Sequence, residues 1–164
     1  MSQKNTGTTN IIFDIGGVLF NYDRTDVYYA IQYPENNPFK PIDQGLNLLR
    51  ILHKNKLSGN NNYKLYVLSN WGVKSFNLLT KHFPDVFELF DGIVISGNTG
   101  WKKPDKRIYH HLIATYSLNA QECVFIDDQI ENIEAAETLG ITGVFCETHD
   151  HVQDKLQKLG LLIK

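Results

Sequence analysis

The stretch "IIFDIGGVLF", residues 11–20, gives the first indication of the fold of this chain. An apolar run of strand length ends at Asp14, and Gly16 and Gly17 follow almost at once. Glycines after a strand either make a tight turn or let a ligand approach the backbone closely. Asp14 is therefore either an incidental acid in a turn, or a nucleophile or metal ligand at the tip of a strand. The remaining strands of the chain have to separate these two interpretations.

Apolar runs of strand length recur along the chain and alternate with segments of helical periodicity. The strand candidates are "NIIFD" (10–14), "YKLYVLS" (63–69), "FDGIVIS" (90–96), "CVFIDD" (123–128) and "TGVFCE" (142–147). The helical segments lie at 43–55, 72–83, 104–116 and 129–140, with a last one from residue 151. Continuous apolar strands that alternate with helices are typical of a parallel sheet covered on both faces. The sequence thus predicts an α/β fold with a doubly wound, mostly parallel sheet flanked by helices.

The bulk composition is that of one globular domain. A length of 164 residues, 42% of them hydrophobic and 21% charged, predicts a single domain spanning 1–164, with the polar residues 1–9 flexible. The formal net charge of -2, without a basic run, disfavours nucleic acid and anionic membranes as partners. The chain has no apolar run close to the roughly 18 residues that a membrane span needs, and its polar start does not resemble a signal peptide.

The cysteines and histidines carry little functional signal. Cys123 and Cys146 both lie in predicted strands, and without secretory features buried reduced thiols are favoured over a disulfide. A cytoplasmic protein is the simplest prediction from these features. The histidines at 110–111 and 149–151 lack a surrounding set of metal ligands, so we expect them on the surface.

Polar side chains stand at or just after the carboxyl end of four predicted strands, and in doubly wound sheets ligands bind outside these ends. The residues are Asp14 at the first strand, Ser69 and Asn70 at the second, Lys103 shortly after the third, and Asp127 and Asp128 at the fourth. Taken singly, each has an ordinary structural explanation as a helix cap, a turn former or a solvated loop residue. Their convergence at one edge of the sheet instead predicts a functional site.

Carboxylates, a hydroxyl and an ammonium at one edge suit phosphoryl transfer. Carboxylate oxygens are good ligands for Mg²⁺, which keeps several waters and bridges to phosphate. Asp128 is the expected direct ligand, with Asp127 completing the cation site. Asp14 would attack phosphorus and form an aspartyl-phosphate. Ser69 would hold the phosphoryl oxygens, and Lys103 would neutralise charge on the transferring group.

Four segments, in chain order, resemble the four motifs of the haloacid dehalogenase-like (HAD) hydrolase superfamily. They are "FDIGGVL", "LYVLSNWG", "GWKKPDKRIY" and "VFIDDQIENIEAAETLG", and the resemblance extends from residue 10 to about residue 147. It implies a Rossmann-like core and a Mg²⁺-dependent phosphatase that works through a phospho-aspartate. It also implies the site residues: Asp14 as nucleophile, Ser69 and Asn70 as phosphate binders, Lys103 as the motif lysine, and Asp127 and Asp128 as the acidic pair.

The first departure from the superfamily pattern is Gly16. Many of its phosphatases carry a second aspartate two residues after the nucleophile, as general acid and base, and this chain has glycine there. The family's metal ligand at that position is a backbone carbonyl, which Gly16 still supplies. The resemblance therefore implies a cation held by Asp14, the Gly16 carbonyl and the acidic pair. It also implies the loss of a general acid, whose contribution is typically about 10²–10⁴-fold.

The second departure is the near absence of the helical cap domain that usually lies between the first two motifs. After the helical segment at 43–55 is set aside, only residues 20–40 remain for a short flap or one helix over the site, with Tyr28, Tyr29, Tyr33 and Phe39 as aromatic content. An open site suits a phosphorylated small molecule or a larger phosphorylated substrate. It also allows a partner subunit in an oligomer to close it.

The leading hypothesis is a Mg²⁺-dependent phosphatase whose substrate the sequence does not identify. One alternative is a 2-haloacid dehalogenase in which Asp14 attacks carbon. The acidic pair argues against it, because displacement of halide needs no cation there. Another is a catalytically weak or silent HAD-fold protein that binds a protein or a phosphorylated ligand, an alternative suggested by Gly16 and the missing cap. Halide release without Mg²⁺ would indicate the former, and binding without turnover the latter.

Overall fold

The structure, a computed structural model, describes residues 10–59 and 62–162, so the prediction of a flexible segment at 1–9 lies outside it. Each predicted strand and helix is present, close to its predicted bounds. In chain order the elements are β1 (Asn10–Phe13), β2 (Phe20–Tyr22), α1 (Arg24–Gln32), β3 (Phe39–Pro41), α2 (Asp43–Leu57), β4 (Lys64–Ser69), α3 (Val73–His82), α4 (Pro84–Phe87), β5 (Gly92–Ile95), α5 (Ser96–Thr99), α6 (Lys106–Tyr116), a 3-10 helix (Ala120–Glu122), β6 (Cys123–Asp127), α7 (Ile130–Glu137), β7 (Thr142–Phe145) and α8 (His149–Lys158).

Five strands form one parallel sheet in the order β5-β4-β1-β6-β7. The first strand lies at its centre, where Ile12 is opposite Tyr66 of β4 on one side and Phe125 of β6 on the other. All four residues of β1 are buried, which explains why its sequence shows no alternation of polar and apolar residues. The predicted doubly wound α/β fold is confirmed.

Helices cover both faces of the sheet, because successive side chains of a buried strand point in opposite directions. Ile11 and Phe13 belong to a large apolar cluster that includes residues of α1, α2, α3 and α8, whereas Ile12 belongs to a second cluster with residues of α6 and α7. Burial of each large apolar side chain contributes roughly 1.5–3 kcal/mol. The ends of the central strands are thereby held in a rigid core.

The segment between β1 and α2 forms a small insert, residues 20–41. Strands β2 and β3 pair antiparallel, with Tyr22 opposite Phe39, and α1 connects them. Asp23 caps α1 by accepting hydrogen bonds from the backbone N–H groups of Thr25 and Asp26, at 2.7 and 3.2 Å. Of the aromatic residues noted in its sequence, Phe39 is buried, while Tyr28, Tyr29 and Tyr33 are exposed.

The prediction that all histidines at 149–151 lie on the surface was wrong for His149. Helix α8 begins two residues earlier than predicted because Thr148 caps it, accepting a hydrogen bond from the His151 N–H at 3.2 Å. The first residue of the helix, His149, is thereby buried, with its Nε2 2.7 Å from the carbonyl oxygen of Val18. It thus fastens α8 to the turn that follows β1.

The expectation for the cysteines is confirmed, since Cys123 and Cys146 are both buried and unpaired. Burial raises the pKa of each thiol to about 11. None of the helices in the described residues combines the length and the apolar character that a membrane span requires.

Candidate active site

The predicted residues meet at the carboxyl edge of the sheet, around Asp14. The Asp14 N–H donates to the carbonyl of Ile126 at 2.9 Å, which fixes the backbone of Asp14 against β6 just beyond the end of β1. Its side chain is buried, and its Oδ1 accepts hydrogen bonds from Ser69 Oγ at 2.5 Å and from Lys103 Nζ at 2.9 Å. Two residues that are far apart in the sequence therefore hold one oxygen of the carboxylate.

Lys103 is buried and its ammonium has three acceptors. Nζ lies 2.9 Å from Asp14 Oδ1, 2.6 Å from Asp127 Oδ2 and 2.9 Å from the carbonyl oxygen of Leu68. An ammonium has three N–H donors, so this set of acceptors satisfies it completely. The lysine thus places one positive charge between two carboxylates.

Asp127 is fully buried and takes hydrogen bonds from three residues. Besides Lys103, the backbone N–H of Gln129 donates to Oδ1 at 2.8 Å, and Asn132 Nδ2 lies 3.2 and 3.1 Å from Oδ1 and Oδ2. Burial raises the pKa of Asp127 above its ordinary value, and the Lys103 ammonium opposes that shift. Both oxygens of the Asp127 carboxylate therefore accept hydrogen bonds from protein groups.

Asp128 presents an unused oxygen at the same place. Its Oδ1 is buried and has no hydrogen-bond partner in the described part of the chain. Burial is the main reason why the pKa of Asp128 is raised, and the Asp14 carboxylate adds to the shift. Carboxylate oxygens of Asp14, Asp127 and Asp128 lie within 4.8 Å of one another. A buried acceptor without a donor, next to two more carboxylates, fits a divalent cation such as Mg²⁺.

The two glycines after β1 have different tasks. Gly17 has a φ of +72°, and a Cβ there would lie 2.1 Å from Asp128 Oδ2, so glycine both makes the turn and makes room for the carboxylate. Gly16 has no positive φ, but a Cβ on it would lie 3.1 Å from Cε1 and 3.3 Å from the hydroxyl of Tyr22. The phenol of Tyr22 thus fills the space that a side chain at residue 16 would enter.

Asn70 ties β4 to the loop that carries Lys103. Its Nδ2 donates to the Lys103 carbonyl at 3.0 Å, and its Oδ1 accepts from the Lys103 N–H at 2.8 Å. The side chain thereby positions the lysine, and its predicted contact with phosphate stays a prediction.

Sequence reasoning missed three residues of the site: Tyr22, Arg24 and Asn132. Asn132 had a signal, because it is a polar residue next to the apolar stripe of α7, where Ile133 and Ala136 are buried. Its carbonyl accepts a hydrogen bond from the buried Tyr109 hydroxyl at 2.8 Å. Tyr22 and Arg24 had none, because they belong to an insert too short to show a periodic pattern.

A cavity of about 300 Å³ lies between the insert and the loops that follow β4 and β5. Its lining includes Tyr22, Arg24, Asn70, Trp71 and Lys102. Three of these adjoin residues that contact Asp14 or follow it in the turn: Asn70 follows Ser69, Lys102 precedes Lys103, and Tyr22 lies against Gly16. The cavity therefore lies against residues that are next to those around Asp14.

Several curated proteins are similar to part of this chain. It is 31% identical over 104 residues to drimenol cyclase of Aspergillus calidoustus (63% of this chain, 20% of that protein). It is 33% identical over 93 residues to a sesquiterpene phosphatase of Aspergillus oryzae (56% and 43%), and 33% identical over 101 residues to enolase-phosphatase E1 of Shewanella baltica (60% and 42%). The matched part is thus less than half of each of these relatives.

Solved structures share the fold. A HAD family enzyme of Bacteroides thetaiotaomicron, in complex with magnesium and inorganic phosphate, has a TM-score of 0.67 at 20% identity over 84% of this chain and 93% of that chain. An uncharacterized protein of Corynebacterium glutamicum has a TM-score of 0.67 at 22% identity over 96% and 98%. The family model for haloacid dehalogenase-like hydrolases matches residues 37–140. The resemblance to the superfamily is confirmed, and the chain belongs to the haloacid dehalogenase-like hydrolase family.

Proposed function

We propose that this chain is a Mg²⁺-dependent phosphatase in which Asp14 attacks phosphorus and forms an aspartyl-phosphate. The observation that carries the proposal is the environment of the Asp14 carboxylate. Oδ1 is held by Ser69 and Lys103, at 2.5 and 2.9 Å, whereas Oδ2 accepts no hydrogen bond from the described residues. One oxygen is thus fixed by the protein, and the other is left to react.

The cation site of this proposal consists of Asp14, the carbonyl of Gly16 and Asp128. The unpartnered Oδ1 of Asp128 supports a direct ligand there, while the three donors around Asp127 support a role in holding Lys103 at the edge of the site. A bound Mg²⁺ would supply positive charge against the phosphate oxygens. The magnesium and phosphate in the Bacteroides enzyme, and the phosphatase names of two relatives, support the same chemistry.

The reaction divides into two displacements at phosphorus. An Asp14 oxygen forms a bond to phosphorus while the bond to the leaving-group oxygen breaks, and that oxygen takes up a proton from solvent, which the attacking water of the second step gives back. Water then attacks the phosphorus of the aspartyl-phosphate, which releases inorganic phosphate and restores the Asp14 carboxylate. In both steps the ammonium of Lys103 and the hydroxyl of Ser69, which contact Asp14, would oppose the negative charge that gathers on the phosphoryl oxygens.

The hydroxyl of Tyr22 lies near the position where many phosphatases of the family have the aspartate that acts as general acid. It fills the space next to Gly16, where an aspartate side chain would stand. Burial, with Asp14 adding to the effect, raises the pKa of Tyr22, so the phenol keeps its proton at neutral pH. It would donate a hydrogen bond to the leaving-group oxygen but give up the proton reluctantly. Leaving groups that need little protonation suit such a site.

The proposal is tested with 4-nitrophenyl phosphate, assayed with Mg²⁺ and with EDTA. We expect Mg²⁺-dependent release of phosphate by the wild type, none by Asp14→Asn, and wild-type rates in the control Asp154→Asn, which changes an exposed carboxylate of α8. Activity in Asp14→Asn would exclude the covalent step. Phosphate binding without turnover in the wild type would favour a binding protein, and halide release from 2-chloropropionate without Mg²⁺ would favour a dehalogenase.

A further inference from the structure

We infer that the cavity under the insert binds a second negatively charged group, carried by the leaving group of the substrate. The cavity is lined by Tyr22, whose ring contacts the Gly16 position, and by two cations from separate parts of the chain, Arg24 and Lys102. The substrate class is then a phosphate ester whose leaving group bears a carboxylate or a further phosphate. This inference rests on the proposed phosphatase function and deepens it.

The first argument is that no carboxylate of the described residues neutralises either cation. Arg24 and Lys102 line the same small cavity, and neither has a carboxylate within 4 Å. The nearest acid in sequence, Asp23, is engaged in capping α1 and does not line the cavity. Two unpaired cations that face one small space repel each other, and an anion between them relieves that repulsion.

The second argument is the position of the two cations relative to the reacting group. Lys102 and Lys103 are neighbours, but Lys103 is buried against Asp14, while Lys102 is exposed and lines the cavity. Arg24 begins α1, two residues after Tyr22, whose phenol lies at Gly16. Tyr22 thus contacts the Gly16 position and also lines the cavity together with Arg24 and Lys102.

The third argument is the shape and rigidity of the cavity. A volume of about 300 Å³ is at the lower end of small-molecule sites. Trp71 forms one wall, and its ring packs on Tyr22 with a centroid distance of 4.8 Å. Its carbonyl accepts from the Gly97 N–H at 2.8 Å and from Ser96 Oγ at 3.2 Å. An aromatic wall with two cations suits a compact leaving group that ends in an anion.

The test compares substrates that differ only in the charge of the leaving group. 4-Carboxyphenyl phosphate and 4-(phosphonomethyl)phenyl phosphate carry the second anion, and 4-carbamoylphenyl phosphate is a neutral analogue of similar size. We expect the wild type to favour the charged substrates in kcat/KM, and that preference to fall roughly fivefold or more in Arg24→Gln and in Lys102→Gln. Comparison between variants cancels differences in intrinsic reactivity. The two charged substrates also distinguish carboxylate from phosphate as the second anion.

Arg50→Gln is the matched control, because Arg50 is an exposed arginine on α2 that lies near Asp85, at 3.9 Å, and does not line the cavity. It should keep the wild-type preference. An equal loss on charged and neutral substrates in Arg24→Gln and Lys102→Gln would overturn the inference, because it would mean that the cations hold the transferred phosphate itself. Equal rates on all three substrates in the wild type would also overturn it, while the proposed function would stand.

Binding of unreactive phosphonates separates the two proposals. The two ligands are 4-carboxybenzylphosphonate and 4-carbamoylbenzylphosphonate, and their binding is measured by calorimetry in the presence of Mg²⁺. The compound with the carboxylate should bind more tightly, and the difference in affinity should shrink at high salt. If no phosphate ester is hydrolysed but the charged phosphonate still binds better, the phosphatase proposal fails and the anion site stands. If both phosphonates bind equally, the anion site fails whatever the activity.

Discussion

Lys103 and Asp127 form an ion pair in the interior, with Nζ 2.6 Å from Oδ2 and both side chains almost fully buried. Removing one partner of such a pair leaves an uncompensated charge, which costs about 3–5 kcal/mol of unfolding free energy. We expect Lys103→Met to lose stability on this scale at neutral pH, as measured by urea unfolding. The control is Lys56→Met, because Lys56 pairs with Asp91 at the same distance but at a more exposed place. That variant should lose no more than about 1 kcal/mol, and equal losses would refute the argument.

In the metal-free protein, ionisation of Asp128 should lower the free energy of unfolding as the pH rises. Its pKa is raised in the folded state, so its contribution is fully present below the unfolded value of about 4 and is lost as the pH rises through the folded pKa. The free-energy difference between Asp128→Asn and wild type, measured by urea unfolding in EDTA, should therefore shift in favour of the variant from about pH 4 to 7.

Added Mg²⁺ should raise the Tm of the wild type but not that of Asp128→Asn, because a ligand stabilises the state that binds it. A variant that responds to Mg²⁺ like wild type would show that the cation site is placed wrongly.

Gly17→Ala should damage the acidic cluster as well as the turn. Gly17 and Gly160 both have a φ of +72°, but a Cβ on Gly17 would lie 2.1 Å from Asp128 Oδ2, while one on Gly160 would meet nothing within 4 Å. Gly160→Ala should therefore cost only backbone strain, about 1–2 kcal/mol. Gly17→Ala should cost more and should also lose the Mg²⁺-dependent rise in Tm. Equal effects of the two substitutions would contradict the packing of Asp128 on Gly17.

Loss of the Tyr22 hydroxyl should lower kcat/KM most for leaving groups that must be protonated as they depart. Tyr22→Phe removes the hydroxyl beside Gly16, so kcat/KM for an alkyl phosphate should fall roughly tenfold, with little change for 4-nitrophenyl phosphate. Tyr28→Phe is the control, since Tyr28 lies on α1 with 68% of its surface exposed. Gly16→Asp should raise the alkyl rate only when Tyr22 is shortened to alanine, because the new side chain and the phenol compete for one space. An unchanged ratio of rates in Tyr22→Phe would remove Tyr22 from the mechanism.

The cysteines should react slowly in the native protein. Burial raises the pKa of Cys123 and Cys146 to about 11, so little thiolate is present at pH 8 and little of it is accessible. Titration with a chromogenic disulfide should detect two thiols at once in guanidinium chloride but only slow reaction without it. Rapid reaction of a native thiol would show that β6, or the segment just after β7, opens easily.

The sequence was enough to predict the sheet and the convergence of its strand ends. Apolar runs marked all five strands, and the rule for doubly wound sheets brought Asp14, Ser69 and Lys103 together before any contact was known. Contacts away from these strand ends could not be predicted from the sequence. The bond of His149 to Val18 spans 131 positions, and nothing in the local pattern of either residue indicates it. Tyr22 likewise owes its place to the pairing of two strands of three residues each.

The division between the sheet and the insert has a consequence for motion. The groups that hold the reacting carboxylate stand on β1, β4 and the loops after β5 and β6, inside a five-stranded core, so their amides should exchange hydrogen only when much of the domain opens. Tyr22 and Arg24 lie on an insert whose two strands pair at only three positions, so its amides should exchange sooner. Such a pattern would mean that the insert moves more readily than the core. The insert could then adapt to different molecules while the residues around Asp14 keep their positions.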